Sequence, residues 1–238
     1  MSSIVYNGHD FSGYVTAELV EPAGHALSPR ALAVPGRPGA VLLGSELPPR
    51  ALRVRLFLDA GISLGADERS EIRHELYGWL VAPAGAELEL PGEPGLSWRD
   101  AVVTDASGWD SLFEDGSCVI ELTCFDPVAY GEEKSSAASA LTVGGTWATW
   151  PVATLTALAG TSVKVADGSG RYVLVERTFA AGDVVVMDFA AEAVTVDGED
   201  ASADVAVEST FFSLDPGAHT LTFSGCSAHT VSWAERWL

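Results

Sequence analysis

The stretch CFDPVAYGEE, residues 124–133, lies slightly past the middle of the chain and decides how the chain divides into domains. It continues the alternating segment SCVIELTC, which is typical of a half-buried strand. Pro127 cannot donate a ladder hydrogen bond, and a proline pushes the residue before it towards extended or turn geometry. The small, polar segment EEKSSAASA follows without apolar periodicity. We therefore expect one domain to end here, with the boundary at residues 133–140.

Short strands are predicted on both sides of this boundary. Before it they are GYVTAELV, LRVRLFL, AELEL, WRDAVVTD and CVIELTCF; after it they are LTV, PVATLTAL, TSVKVAD, RYVLVE, DVVVMDF, AVTV, DVAVES, AHTLTFS and HTVSW. Turn sequences such as PGRPG, PGEPG and DGSG separate them at short intervals. This spacing is typical of β-sandwiches and barrels, and the second half has the composition of a tightly wound antiparallel sandwich.

One amphipathic helix is expected in the first half, from about Asp67 to Leu80. Apolar residues recur at helical spacing within ADERSEIRHELYGWLVAP. Asp67 can cap the helix, and Pro83 follows its end. The helix is expected to pack on the first β domain.

The composition limits the classes of function. The chain has 238 residues and a formal net charge of −20, so it lacks the basic stripe with which proteins bind nucleic acid closely. An acidic wall past which DNA slides remains physically reasonable. The three cysteines are an odd number and predict free thiols. No signal peptide and no apolar run long enough to span a bilayer are found in the sequence, so membrane insertion is not expected.

Several apparent motifs lack the context that their chemistry needs. GISLG, residues 61–65, matches the nucleophile elbow at Ser63, but a hydrolase of that class needs a parallel sheet with several helices. The histidines have no zinc spacing, and DGEDASAD lacks the order of a calcium loop. We therefore predict no catalytic residue, no metal site and no cofactor.

Two groups of residues are candidate binding sites. Trp147 and Trp150 offer indole rings that could stack on a saccharide, although packing in the core or at an interface is the commoner role of such residues. The strand LRVRLFL contributes Arg53, Arg55, Leu56 and Phe57 as candidates for a subunit interface, with the arginines expected on one face and the leucines and phenylalanine on the other.

The ordered landmarks of the whole chain resemble one family, the distal tail proteins of siphophages, which are bacteriophages with long non-contractile tails. The landmarks are YNGHDFSGY, VPGRPGAVL, LYGWLVAP, LELPGEPGLSWRDAVV, CVIELTCFDPVAYGEE, GGTWATWPVATLTAL, FFSLDPGAHTLTFSG and VSWAERWL. The resemblance rests on their order and spacing, because no single motif is diagnostic.

The resemblance implies a mainly β fold with two domains. Residues 1–133 would form a β-rich, split-barrel-like domain with one helix, six copies of which make a ring; residues 134–238 would form a galectin-like or jelly-roll sandwich. The ring would lie at the distal tip of the virion tail, after synthesis in the host cytoplasm. Its partners would be the major tail tube protein, a tail-associated lysin or fibre protein and the tape-measure protein. The alternatives from the residues themselves are a carbohydrate-binding module using Trp147 and Trp150, and a hydrolase using Ser63.

Overall fold

The structure, a computed structural model, describes residues 3–20, 26–59 and 65–238. The chain divides into two compact units: Met1–Tyr130 together with Leu238, and Gly131–Trp237. Strands are the main secondary structure of both units.

The N-terminal unit is built from antiparallel strands with two helices. The described elements are β1 (Val5–Tyr6), β2 (His9–Asp10), β3 (Val15–Leu19), β4 (Ser28–Ala33), β5 (Ala40–Glu46), β6 (Arg50–Leu58), α1 (Ala66–Trp79), β7 (Ala86–Glu89), β8 (Ser97–Asp105), α2 (Trp109–Glu114), β9 (Ser117–Cys124) and β10 (Ala129–Ser136). The neighbouring strands run in the order β3-β6-β9-β8-β7-β1-β2, and the first two residues of β10 also pair with β8. The strands β4 and β5 pair with each other in a separate two-stranded sheet.

The alternation of apolar and polar residues determines which face of each strand is buried in the core of this unit. In β9 every second side chain is buried, beginning with Cys118 and ending with Cys124. The neighbouring strand β6 does the same with Leu52, Val54 and Leu56. Since successive side chains of a strand point to opposite faces, the two strands present one continuous apolar face to the core.

The predicted helix is confirmed to within one residue at each end. Its N-terminal cap is Gly65 rather than Asp67, and the Glu68 carboxylate accepts a 3.0 Å hydrogen bond from the Gly65 N–H. Leu76 and Leu80 on the apolar stripe are buried. The expectation of a single helix is wrong, because WDSLFE forms the short helix α2, which buries Trp109, Leu112 and Phe113.

The C-terminal unit is an antiparallel β-sandwich. Its strands are β11 (Ala140–Val143), β12 (Val152–Ala157), β13 (Gly160–Ala166), β14 (Tyr172–Phe179), β15 (Val184–Asp188), β16 (Ala193–Val196), β17 (Glu199–Asp200), β18 (Gly217–Thr220), β19 (Thr222–Ser224) and β20 (Cys226–Trp237). One sheet has the order β17-β16-β15-β12-β20, the second has the order β14-β13-β19, and β11 pairs with β18. Alternate residues of both sheets meet in one core, including Leu155, Val165, Val175 and Val231.

The structure differs from the sequence predictions in two segments. No strand was predicted across residues 133–140, but β10 continues as far as Ser136 and includes the first residues of EEKSSAASA. The segment DVAVES was predicted to be a strand and does not form one. It follows the outer edge of β14, where the Ala206 N–H donates to the Leu174 carbonyl across 2.9 Å and the Ser209 hydroxyl accepts from the Leu174 N–H across 3.0 Å. This cover satisfies backbone groups of an edge strand that would otherwise face solvent.

Candidate assembly surfaces

The β4–β5 hairpin, residues 28–46, is exposed at every position except the half-buried Val41 and is here called the arm. Its turn PGRPG places Gly36 and Gly39 at positive φ, +79° and +78°, which glycine adopts without steric cost. Leu32 lies opposite Val41 and Ala31 opposite Leu42, so apolar side chains occupy both faces. Leu32, Leu42 and Leu43 are 55%, 64% and 67% exposed. An isolated two-stranded hairpin is at best marginally stable in water, so this arm would gain stability from a partner that covers it.

The sequence predicts the turn of the arm but not the exposed apolar surface on either side of it. The two apolar runs RALAV and AVLL flank PGRPG, which is the pattern of a hairpin with a short glycine-containing loop. Neither run alternates between apolar and polar residues, and for this reason neither met the criterion for a half-buried strand.

A groove runs along helix α1 on the side that faces α2 and the end of β8. Its apolar end is a hollow of about 260 Å³ lined by Tyr77, Val81, Pro83, Val102 and Val103. A second hollow of about 440 Å³ shares Tyr77 and Ala106 with the first and extends towards Trp109. The two hollows adjoin each other at Tyr77 and Ala106 and are together called the α1 groove.

The charged end of the α1 groove is held by contacts between the helices. The Arg73 guanidinium lies 3.2 Å from Oδ1 of Asp110, and the Arg69 guanidinium donates to the Phe113 carbonyl across 3.2 Å. The Trp109 indole N–H donates to the Arg73 carbonyl across 3.2 Å. These contacts fix α2 against α1, so the groove has a preformed wall.

The strand LRVRLFL places the four candidate interface residues differently from the prediction. Leu56 is fully buried in the core of the N-terminal unit. Phe57 is on the exposed face together with Arg53 and Arg55, so its assignment to the leucine face is wrong. The reason is the two-residue period of a strand, which puts residues 53, 55 and 57 on the same side. The exposed face is further defined by a 3.0 Å contact between Arg53 Nε and the Glu121 carboxylate.

Trp147 and Trp150 lie in the segment between β11 and β12. They are 36% and 40% exposed, and neither ring contacts another aromatic ring among the described residues. The segment is held to β20 and Leu214 by backbone hydrogen bonds, including one of 3.0 Å from the Trp147 N–H to the Arg236 carbonyl. Two indoles are therefore presented to solvent by an anchored backbone.

The other candidate residues from the sequence form no catalytic or metal-binding group among the described residues. Ser63 of the GISLG motif lies outside them. Within them, no group of three or more His, Cys, Asp or Glu side chains could hold a metal ion. The three cysteines are free, and burial raises the pKa of Cys118 to about 11 and that of Cys124 to about 12, far from the range of a reactive thiolate. Neither described helix has the length and apolarity that a membrane span requires.

Comparison with protein families finds a match within the C-terminal unit. Residues 144–237 match the model of the siphovirus-type tail component, C-terminal domain. A comparison with curated protein sequences finds no significant match.

Comparison with solved structures extends the likeness of fold to the whole chain. The SPP1 Dit protein, described as a paradigm of the hub adsorption apparatus in phages that infect Gram-positive bacteria, has a TM-score of 0.81 at 20% identity, and the match covers 100% of both chains. Chains of the phage P2 baseplate in its activated conformation, with Ca and with Sr, have TM-scores of 0.55 at 10% identity over 98% of this chain and 97% of theirs. The predicted resemblance to siphophage distal tail proteins is confirmed by the family match and the shared fold.

Proposed function

Because the C-terminal unit is a siphovirus-type tail component domain in a chain with the Dit fold, we propose that this protein is a structural protein of a phage virion. It forms a ring, with six copies, at the distal end of a non-contractile tail. The ring joins the tail tube to the lysin or fibre protein of the tail tip, close to the tape-measure protein. The observation that carries this proposal is the family match over residues 144–237.

Two features of the protein surface support a role in assembly rather than in catalysis. The arm and the α1 groove are two different surfaces of the same unit, and contacts between different surfaces of identical subunits generate a ring when the rotation between neighbours closes. The net charge of −20 suits a ring through which DNA passes, since an acidic wall repels phosphates.

The proposal is tested by removing the protein from the virion. A phage or prophage that lacks the gene is expected to make tails without a distal tip structure, and supplying the chain in trans is expected to restore the tip. Antibody-labelled electron microscopy of intact particles locates the chain. Normal, infectious tails in the deletion, or antibody binding at the head, would overturn the proposal.

A saccharide contact through Trp147 and Trp150 is a second candidate function of the C-terminal unit. Its support is the exposure of two indoles on an anchored segment, since indole faces stack on sugar rings. Titration with cell-wall polysaccharide of the host should show binding that is lost in the variants Trp147→Ala and Trp150→Ala. The variant Leu158→Ala removes an apolar side chain of the same unit that is 50% exposed and is the control. Absence of binding to every wall fraction would remove this candidate.

A further inference from the structure

We propose that Glu235 is the positioning residue for Trp147 and Trp150, because its carboxylate holds the segment that carries both indoles. That segment is GGTWATW, residues 144–150, and is here called the tryptophan segment. The inference rests on the second candidate function, the saccharide contact, and names the side chain on which the geometry of that contact depends. Glu235 acts through the backbone of Gly144 rather than by touching the saccharide.

The tryptophan segment begins with two glycines, the residues with the greatest conformational freedom. Because this freedom is lost when the segment adopts one conformation, specific contacts must select that conformation. The Gly144 N–H donates a 3.0 Å hydrogen bond to Oε1 of Glu235. A Cβ atom at Gly144 would collide with the same carboxylate, and one at Gly145 would collide with the Arg236 backbone. The glycines therefore let the segment lie directly against β20, and the carboxylate fixes its first residue.

The Glu235 carboxylate is largely shielded from solvent and has two partners. The Glu235 side chain is 16% exposed, and its Oε1 also accepts a 2.5 Å hydrogen bond from the Lys134 ammonium of β10. A buried carboxylate is costly unless it is paired, and hydrogen bonds to a charged acceptor are stronger than neutral ones. One carboxylate oxygen therefore connects the tryptophan segment to both β10 and β20.

The rest of the tryptophan segment is held mainly by the backbone of β20. The Trp147 N–H donates to the Arg236 carbonyl across 3.0 Å, and the Thr149 hydroxyl donates to the Ala234 carbonyl across 2.6 Å. The Arg236 guanidinium donates to the Ala148 carbonyl across 3.2 Å. Both indoles stay exposed beside these contacts. Since a preorganised surface loses less conformational entropy on binding, this arrangement favours stacking on a sugar ring.

Glu235 lies outside the apolar core of the C-terminal unit. Val231 and Trp233, on the same face of β20, belong to that core, while Glu235 follows them with a partly exposed side chain. Loss of the carboxylate is therefore expected to release the start of the tryptophan segment without unfolding the sandwich.

Variants of the full-length chain test the positioning role. Glu235→Ala removes the acceptor, whereas Glu235→Gln keeps an oxygen that accepts from the Gly144 N–H. Gly144→Ala disturbs the same contact from the other side, because its Cβ atom needs the space that the carboxylate occupies. Asp204→Ala is the matched control, since Asp204 is the ion-pair partner of Arg177 in the same unit.

Fluorine NMR of protein labelled with fluorotryptophan measures the environment of each indole. The resonances of Trp147 and Trp150 are assigned by their loss in Trp147→Phe and Trp150→Phe. In Glu235→Ala both resonances should move towards their position in the unfolded protein, while the resonances of the tryptophans in the N-terminal unit stay unchanged. Glu235→Gln and Asp204→Ala should keep the wild-type spectrum.

Titration with cell-wall polysaccharide of the host measures the consequence for binding. Glu235→Ala and Gly144→Ala should each bind about tenfold more weakly than the wild type, because the indoles must then be ordered on binding. The double variant should bind no more weakly than either single variant, since both substitutions break one contact. Two independent losses of stability would add instead.

Two results would overturn the positioning role: an unchanged fluorine spectrum in Glu235→Ala, and additive losses of affinity in the double variant. Equal effects of Asp204→Ala would also overturn it, because they would show a general response of the unit to the loss of a carboxylate. Absence of wild-type binding to every wall fraction would remove the saccharide function, and the inference with it. The proposed tail function is tested separately by deletion of the gene and would stand in each of these cases.

Discussion

The hydroxyl of Tyr130 donates a hydrogen bond of 2.5 Å to Oδ2 of Asp126. The other carboxylate oxygen of Asp126 accepts from the Val128 N–H across 3.2 Å, and the Arg99 guanidinium lies 3.9 Å above the centre of the Tyr130 ring. The turn around Pro127 is therefore closed by one carboxylate and one phenol. The stretch CFDPVAYGEE therefore forms a turn that is held by side-chain contacts.

Tyr130→Phe is expected to weaken this turn without removing the ring. The variant keeps the contact with Arg99 but loses a hydrogen bond to a charged acceptor, so the free energy of unfolding of the N-terminal unit should fall by about 1.5–3 kcal/mol. Urea denaturation followed by circular dichroism measures the change. The variant Tyr14→Phe removes a phenol elsewhere in the same unit and is the control; an equal effect in both variants would contradict the role of the Asp126 bond.

Gly225→Ala is expected to destabilise the C-terminal unit strongly. Gly225 has a φ of +76°, and a Cβ atom there would lie 2.1 Å from the Ser162 carbonyl oxygen in the facing backbone. Strain and overpacking together should lower the free energy of unfolding by about 3 kcal/mol or more. Gly168→Ala is the matched control, since a Cβ there meets nothing within 4 Å. Equal melting temperatures of the two variants would contradict this account.

Asp167 is expected to make the C-terminal unit sensitive to acid. Partial burial raises the pKa of its carboxyl, but hydrogen bonds from Ser169 and Arg171 outweigh burial and hold the pKa below its usual value. A lowered pKa in the folded state means that the carboxylate contributes stability above the unfolded pKa, and that this contribution is lost as the pH falls below about 4.

The variant Asp167→Asn tests this dependence. The asparagine has no carboxylate to protonate, so the loss of stability between about pH 5 and pH 2 should be smaller than in the wild type. Thermal unfolding at a series of pH values measures the slope. Asp215→Asn, in the same unit, is the comparison, and an unchanged slope in Asp167→Asn would contradict the assignment.

The sequence was sufficient to predict a strand or a helix where apolar residues recur at a regular period. The alternation in SCVIELTC predicts the strand that the structure has at β9, and the stripe ending at Leu80 predicts α1. The stretch WDSLFE was missed because six residues make fewer than two helical turns, too few to show a period. In this case helix formation depends on tertiary burial of Trp109, Leu112 and Phe113.

The pattern of apolar residues predicted the wrong local structure where tertiary contacts override it. DVAVES alternates like a strand, yet its backbone follows the edge of β14 through single hydrogen bonds and leaves Val207 exposed. In the arm, apolar and polar residues do not alternate. Both faces of the hairpin are exposed in the single chain, so neither face is selected to be apolar by burial in the core. An exposed apolar surface lacks the one-sided burial on which sequence patterns depend, so the arm was harder to predict than the fold.

Leu56 and Phe57 provide the sharpest test of the corrected strand assignment. Leu56→Ala creates a cavity in the core and should lower the free energy of unfolding by about 2–5 kcal/mol. Phe57→Ala removes a side chain from the exposed face and should change it by less than about 1 kcal/mol. Denaturant unfolding measures both values.

The same pair tests whether this exposed face belongs to a subunit interface. Phe57→Ala should weaken self-association in sedimentation velocity while the fold stays intact, because a buried aromatic side chain contributes strongly to an interface. Leu56→Val conserves most of the core volume and should leave association unchanged, so it is the control. Wild-type association in Phe57→Ala would exclude the face formed by Arg53, Arg55 and Phe57 from the ring contact.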